Sequence, residues 1–141
     1  MREIANIIVG ELMSTPAMTV TPDTSIADLR KRFAEHPVNA FPVVNDVDAL
    51  VGLVSQADLF RLYLLPYHRF IAAIEDTWVS SVGAIMTRAV VALYPKEPAI
   101  RAMALMVEHG IRTIPIVDDT PAGVTVVGVV TRQDLTVALA D

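Results

Sequence analysis

The chain has 141 residues, 53% of them hydrophobic, which suffices for one well-packed unit but is too short for two independent enzyme domains. Sixteen acidic residues against eleven basic ones give a net charge of −5, whereas proteins that neutralise nucleic acid phosphates are normally basic, so we expect no nucleic acid partner. Because cysteine is absent, we expect a cytoplasmic protein without disulfides. No apolar run approaches the length needed to span a bilayer, and an acidic residue near the start interrupts any signal sequence, so we expect no signal peptide and no membrane partner.

The first predicted elements are an extended stretch and a helix. Residues 17–20 form the stretch, and polar residues at 23–25 supply N-cap candidates for the helix. Ile26, Leu29 and Phe33 then recur at the spacing of one helical face. The pattern predicts a helix whose apolar face packs on the core.

A predicted hairpin and a second helix follow. Residues 40–44 and 50–54 are β-rich and separated by a polar turn, which favours a hairpin. Ser55 comes directly after the second run, and its hydroxyl suits the N-cap of a helix. Residues 64–81 lack the Gly/Ser bias of a flexible linker, so we expect an ordered connecting helix there.

The second half of the chain repeats these elements. A shift of 73 positions places residues 41–44 (FPVV) on residues 114–117 (IPIV). Beyond the hairpin turn, which is three residues longer in the second copy, the shift becomes 76 and places residues 51–59 on residues 127–135. A length change confined to a polar turn is tolerated at a hairpin tip, so the two halves are predicted to share one structure.

Each copy has the predicted order β-α-β-β-α, with a hydrophobic-Pro-hydrophobic second strand and a later Gly-apolar-apolar-(Ser/Thr)-x-x-Asp pattern. This order resembles the CBS (cystathionine beta-synthase) motif, over residues 9–63 and 82–139. The resemblance implies an α/β (α+β) fold in which two motifs, 1–63 and 82–141 joined by 64–81, pack by pseudo-twofold symmetry into one Bateman module. It also implies clefts between the paired sheets that hold AMP, ADP, ATP, S-adenosylmethionine or a related ligand.

Ser55 and Thr131 stand where an apolar strand turns into a helix, so each hydroxyl and the first helical N–H groups face one place. Such a junction suits a phosphate or a polarised ribose oxygen. Asp58 and Asp134 follow one turn later, where a carboxylate can accept hydrogen bonds from a ribose diol, and in relatives this aspartate holds the ribose. The alternative is a capping box, in which hydroxyl and acid only cap the helix start reciprocally.

The two copies differ in charge beside these positions. Arg112 and Arg132 are candidates for phosphate contacts in the second copy, whereas the matching residues in the first copy are Asn39 and Gln56. The second cleft is therefore predicted to suit a charged ligand better. The alternative for each arginine is a solvated surface residue.

The resemblance also assigns contacts with the base. Segments around the first strand and at the start of the second resemble stretches that sandwich adenine and read its edge through backbone groups. The further ligand-binding residues expected on this basis are Met18, Val38, Ala40 and Pro42 in the first copy, with Asn39, and Val91, Ile111, Thr113 and Pro115 in the second.

No sequence feature supports catalysis. Nucleophile elbow, P-loop and GxGxxG motifs are missing, and the three histidines lack metal-ligand spacing, so we expect no enzyme, no catalytic cofactor and no metal. The leading hypothesis is a homodimeric regulatory module that binds an adenosine nucleotide and acts on a regulated protein partner. The alternative is a ligand-free dimerisation and protein-interaction platform. A small hydrolase, the third hypothesis, has no catalytic constellation to support it.

Overall fold

The structure, a computed structural model, describes residues 3–64 and 81–140. The helices are α1 (Val9–Leu12), α2 (Ile26–Glu35), α3 (Gln56–Tyr63), α4 (Ala99–His109) and α5 (Arg132–Ala140), the strands are β1 (Ala40–Val44), β2 (Leu50–Ser55), β3 (Thr113–Thr120) and β4 (Gly123–Thr131), and short 3-10 helices occupy Ile4–Asn6 and Val82–Ala84. The predicted connecting helix at 64–81 falls, apart from its two end residues, outside the described residues and stays a prediction.

Both predicted hairpins are present. β1 pairs with β2, and β3 pairs with β4 in an antiparallel register from Thr113 opposite Thr131 to Thr120 opposite Gly123. The longer turn predicted for the second copy is not a longer loop: its extra residues extend β3 and β4 to 8 and 9 residues, against 5 and 6 in β1 and β2.

The extended stretch that precedes each first helix is reduced to a single parallel bridge, Val20 to Val43 in the first copy. The Val20 N–H donates to the Pro42 carbonyl at 3.0 Å, and the Val44 N–H donates to the Val20 carbonyl at 2.9 Å. The next bond of such a ladder would need an N–H on Pro42, which proline lacks. The second copy has the same bridge and the same limit at Pro115.

The chain forms two compact units, and each unit combines segments of both sequence copies. The central unit contains Met18–Asp46 and Val51–Val90, and the flanking unit contains Met1–Ala17, Val47–Leu50 and Val91–Asp141. The compact units therefore do not coincide with the two repeats, 1–63 and 82–141, and the division into those repeats stays a prediction.

Backbone hydrogen bonds explain how each unit recruits the first segment of the other copy. In the flanking unit, the N–H groups of Val9 and Gly10 donate to the carbonyls of Glu97 and Pro95, both at 2.8 Å. In the central unit, the Val82 and Gly83 N–H groups make the matching bonds to Thr24 and Pro22, both at 2.9 Å. The start of each copy is thus anchored at the entrance to the first helix of the other copy.

Each unit has its own hydrophobic core. Ser25 caps α2 by accepting from the Asp28 N–H at 3.0 Å, as its position among the N-cap candidates predicted, and the helix then buries Ile26 and Leu29. The buried residues of the central core are Val20, Ile26, Leu29, Phe41, Val43, Val54, Leu59, Leu62 and Val82, and those of the flanking core are Ile7, Val9, Leu93, Ala99, Ala102, Met106, Ile114, Ile116, Val130 and Leu135.

Gly128 permits close packing between β4 and the start of the chain. A Cβ atom at this position would lie 2.7 Å from Sδ of Met13 and 2.9 Å from the Ser14 carbonyl oxygen. Because Ser14 and Val129 are joined by two backbone bonds, the segment cannot move away cheaply, and Gly128→Ala is expected to lower the free energy of unfolding by about 1–3 kcal/mol. Urea unfolding monitored by circular dichroism measures the loss.

Gly83→Ala is the matched control, because the nearest atom to its Cβ, the Pro22 carbonyl oxygen, lies at 3.2 Å and the required shift is smaller. An unfolding midpoint for Gly128→Ala equal to that of the native chain would contradict this packing.

Candidate ligand-binding sites

Reciprocal hydrogen bonds close the strand-to-helix junction of each unit. In the central unit, the Ser55 hydroxyl accepts from the Asp58 N–H at 3.1 Å, and Asp58 Oδ2 accepts from the Ser55 N–H at 2.9 Å. In the flanking unit, the Thr131 hydroxyl accepts from the Asp134 N–H at 3.2 Å, and Asp134 Oδ2 accepts from the Thr131 N–H at 2.8 Å. The capping box considered from the sequence is therefore present in both copies.

Capping does not exhaust the hydrogen-bonding capacity of these residues. A hydroxyl that accepts from an N–H still carries a proton to donate, and a carboxylate that uses Oδ2 in the cap still has Oδ1. A capped junction can thus both donate to and accept from a bound molecule. Whether Oδ1 is open depends on the neighbouring side chains, which differ between the two units.

A backbone bond ties the entrance of the hairpin to each junction. The Gln56 N–H donates to the Asn39 carbonyl, and the Arg132 N–H donates to the Arg112 carbonyl, both at 2.9 Å. The structure thereby brings the stretches around Asn39 and Arg112 next to the capping residues with which the sequence analysis grouped them. These bonds also use the first N–H of α3 and of α5, which leaves fewer free donors at each helix start than a bare N-terminus offers.

The stretches that precede the first helices keep free backbone groups. Neither the N–H nor the carbonyl of Met18 or of Val91 has a hydrogen-bond partner within residues 3–64 and 81–140, because the ladder stops after one bridge. Met18 is 41% exposed and Val91 is half-buried. Pro42 and Pro115 are buried, have no N–H and already accept the bridge bonds through their carbonyls, so their expected role in ligand binding stays a prediction.

Two contacts in the central unit were missed by the sequence analysis. The Gln56 side-chain amide donates to the Val38 carbonyl at 3.1 Å. Arg61 Nη1 donates to Asp58 Oδ1 at 2.7 Å, and the Asp58 side chain is only 10% exposed. The spacing of Asp58 and Arg61, three residues apart on α3, was the available signal, since such pairs are neighbours on a helix.

The flanking unit lacks both contacts. Valine occupies position 137, which corresponds to Arg61, and Asp134 Oδ1 has no partner among the residues that the structure describes. Arg112 and Arg132 are exposed and form no ion pair in that part of the chain. The charged groups expected from the sequence are therefore present here and are not neutralised internally.

Thr113 is the one buried polar side chain of the described residues without a hydrogen-bond partner. It is 3% exposed, and its hydroxyl oxygen has neither donor nor acceptor nearby. Since Thr113 stands opposite Thr131 in the sheet, the two side chains lie on the same face, away from the core residue Ile114. The corresponding residue of the central unit is Ala40, which has no polar group to satisfy.

The pKa of the Tyr94 phenol is raised because its hydroxyl donates to Asp119 at 3.0 Å and because the charges of Asp119, Asp118 and Glu97 oppose a phenolate. Asp119 lies six residues along β3 from Thr113, about 20 Å away in an extended strand. The shift therefore belongs to the far end of the hairpin and not to the junction.

Neither a metal site nor a membrane helix occurs in the described ranges. No group of three or more His, Asp or Glu side chains there could hold a metal ion. None of the helices in that part of the chain combines the length and the apolar character needed to cross a membrane.

Comparison with known proteins identifies the family. Residues 9–65 and 82–141 match the model of the CBS domain, and the chain belongs to the CBS domain family, as the sequence resemblance predicted. Among curated proteins, the chain is 25% identical to the uncharacterized protein MJ1426 of Methanocaldococcus jannaschii, with 94% of this chain and 90% of that protein covered. Two enzymes among the curated relatives are matched over only 22% and 23% of their own lengths.

Solved structures share the whole fold. CBSX2 from Arabidopsis thaliana superposes with a TM-score of 0.79 at 28% identity and covers 96% of this chain and 95% of that chain. A structure of CBSX2 in complex with AMP gives 0.78. The CBS domain pair of MJ0100, in complex with 5′-methylthioadenosine and S-adenosyl-L-methionine, also gives 0.78 at 26% identity, with 94% and 95% covered. The mixed α/β fold of a CBS pair is therefore confirmed.

The cap of α5 predicts a stability effect. Thr131→Ala removes the acceptor of the Asp134 N–H and is expected to lower the free energy of unfolding by about 1 kcal/mol, within a range of 0.5–2. Thr131→Ser retains the hydroxyl and is expected to stay close to the native value. Thermal unfolding of the two variants provides the comparison, and equal losses in both would show that the lost methyl contacts, not the cap, carry the effect.

Proposed function

We propose that this chain is a regulatory module that binds an adenosine nucleotide of the AMP, ADP, ATP or S-adenosylmethionine type and has no catalytic activity of its own. The observation that carries the proposal is the flanking-unit junction, where the free Oδ1 of Asp134, the donor proton of Thr131 and the unpaired Arg132 share one strand-to-helix corner. Structural relatives in complex with AMP or with S-adenosyl-L-methionine support this choice of ligand class.

Each part of such a ligand has a matching group in the flanking unit. Asp134 Oδ1 accepts from a ribose hydroxyl, and the Thr131 hydroxyl donates to a ribose or phosphate oxygen. Arg112 and Arg132 supply charge-assisted bonds to phosphate. The free N–H and carbonyl of Val91 match the ring nitrogen and the amino group on the edge of adenine, whereas guanine presents a donor and an acceptor in the opposite order.

Regulation by this ligand requires that it bind one arrangement of the protein better than another. We place the regulated arrangement at the level of a homodimer and of a partner protein that responds to it. The exposed apolar side chains of α4 support self-association: Ile100 is 50% exposed and Val107 is 83% exposed, and they lie two turns apart on one face.

The second candidate is a ligand-free dimerisation and interaction platform. The same exposed face of α4 favours it, and so do the internal contacts of Gln56 and Arg61 at the central junction, which need no ligand to be satisfied. The two candidates differ in one measurable respect, since only the first requires that a nucleotide stabilise the fold.

Adenosine nucleotides are expected to raise the melting temperature more than guanosine or pyrimidine nucleotides do. A ligand that binds only the native state adds about 2.7 kcal/mol of stability when its concentration is about 100 times the dissociation constant. Thermal denaturation with AMP, ADP, ATP, S-adenosylmethionine, GMP, GTP and CMP at equal concentrations tests this expectation. An unchanged melting temperature across the whole series would favour the platform.

The chain is expected to sediment as a dimer at micromolar concentration, and Val107→Glu is expected to shift it toward the monomer because a charge on α4 opposes burial of an apolar face. Val124→Glu, on the exposed hairpin strand β4, is the matched control and is expected to leave the dimer intact. A native chain that sediments as a monomer would exclude this prediction.

A further inference from the structure

The two junctions share one backbone arrangement, but only one of them has its polar groups already satisfied. At the central junction, both carboxylate oxygens of Asp58 are in use, Oδ2 by the Ser55 N–H and Oδ1 by Arg61 at 2.7 Å. At the flanking junction, Asp134 uses Oδ2 in the same way, and Oδ1 has no partner among the described residues. The difference follows from one position on the helix, Arg61 against Val137.

The carbonyl group just before the hairpin is likewise hydrogen-bonded in the central unit and, among the described residues, unpaired in the flanking unit. The Val38 carbonyl of the central unit accepts from the Gln56 side chain at 3.1 Å. The matching carbonyl of the flanking unit belongs to Ile111 and has no partner within residues 3–64 and 81–140, because position 132 carries an arginine that extends into solvent. The glutamine therefore fills at one junction a hydrogen-bonding position that the other leaves open.

The Thr113 hydroxyl is a third, independent difference between the two junctions. A buried hydroxyl without a partner costs stability, and in native proteins such groups are rare and have a reason. This hydroxyl lies on the sheet face that carries Thr131, beside the open junction, and the closed junction has Ala40 in its place. An unsatisfied polar group thus accompanies the open junction, whereas the closed one has none.

We infer that the chain binds one adenosine nucleotide, at the Thr131–Asp134 junction, and that Arg61 and Gln56 hold the Ser55–Asp58 junction closed as an internal substitute for a ligand. This inference rests on the proposed function and adds which junction is used and what occupies the other. A nucleotide at the central junction would have to displace Arg61, whose side chain is 70% exposed, from Oδ1 of Asp58, and it would meet no arginine for its phosphates at 39 or 56.

Stoichiometry tests the inference directly. Equilibrium dialysis with radiolabelled AMP, ATP and S-adenosylmethionine, each in turn, is expected to give one bound ligand per chain for whichever compound binds. Asp134→Asn is expected to weaken that binding by about tenfold or more, since a charge-assisted bond to the ribose is lost. Asp58→Asn is expected to leave the affinity and the stoichiometry unchanged.

Substitutions at Arg61 and at the matching Val137 test whether an arginine at this position blocks ligand binding. Neither residue is itself a proposed ligand contact. Val137 is 53% exposed, so Val137→Arg is expected to fold normally, to pair with Asp134 Oδ1 and to weaken binding by about tenfold or more. Leu139→Arg adds the same charge to the same exposed helix at the wrong spacing and is expected to bind as the native chain does. Arg61→Val combined with Gln56→Arg is expected to create a second binding equivalent.

The outcomes separate this inference from the proposed function. Two ligands per chain, one of them lost in Asp58→Asn, would overturn the inference and leave the proposed function standing. Native affinity in Val137→Arg would overturn the blocking role. No saturable binding of any of the three compounds would overturn the proposed function and the inference together.

Discussion

A proline at the third residue of β1 and of β3 limits how far each sheet can extend on the side opposite its hairpin partner. Pro42 and Pro115 accept one bond through their carbonyls but have no N–H to continue the ladder. The segment before each first helix therefore pairs with the sheet at one residue, Val20 or Leu93. The residue two positions earlier, Met18 or Val91, keeps its backbone N–H and carbonyl unpaired within the described part of the chain. The missing donor is thus a structural restriction and also the origin of the unpaired backbone groups that we propose for base recognition.

The cores depend on segments exchanged between the two sequence copies. Val9 is anchored on the loop before α4, and Val82 is anchored on the loop before α2, through the same pair of backbone bonds. Each of these valines is fully buried in the core that it joins. Neither copy by itself contains all the residues of one core, so the stability of each unit depends on both halves of the chain.

The junctions have the hydrogen-bonding capacity for both the observed cap and the ligand site that we propose. The capping box occupies one carboxylate oxygen and the acceptor side of one hydroxyl, and it leaves the rest of both groups for another partner. In our proposal, the residue three positions beyond the aspartate decides between the two roles. An arginine there completes the carboxylate internally, as for Asp58, and a valine leaves it incomplete, as for Asp134.

Local sequence patterns predicted the hairpins, the caps at Ser25, Ser55 and Thr131, and the repeat, because each of these depends on residues close together in the chain. They also predicted the family, since order and spacing carry it. Only the tertiary structure decided that the first segments are exchanged between the two sequence copies, because hydrophobicity marks a segment for burial without specifying its partner. It likewise decided that Gln56 closes one hairpin entrance and that the Thr113 hydroxyl is left unpaired, because a hydrogen bond depends on distances and angles between side chains that sequence separation does not encode.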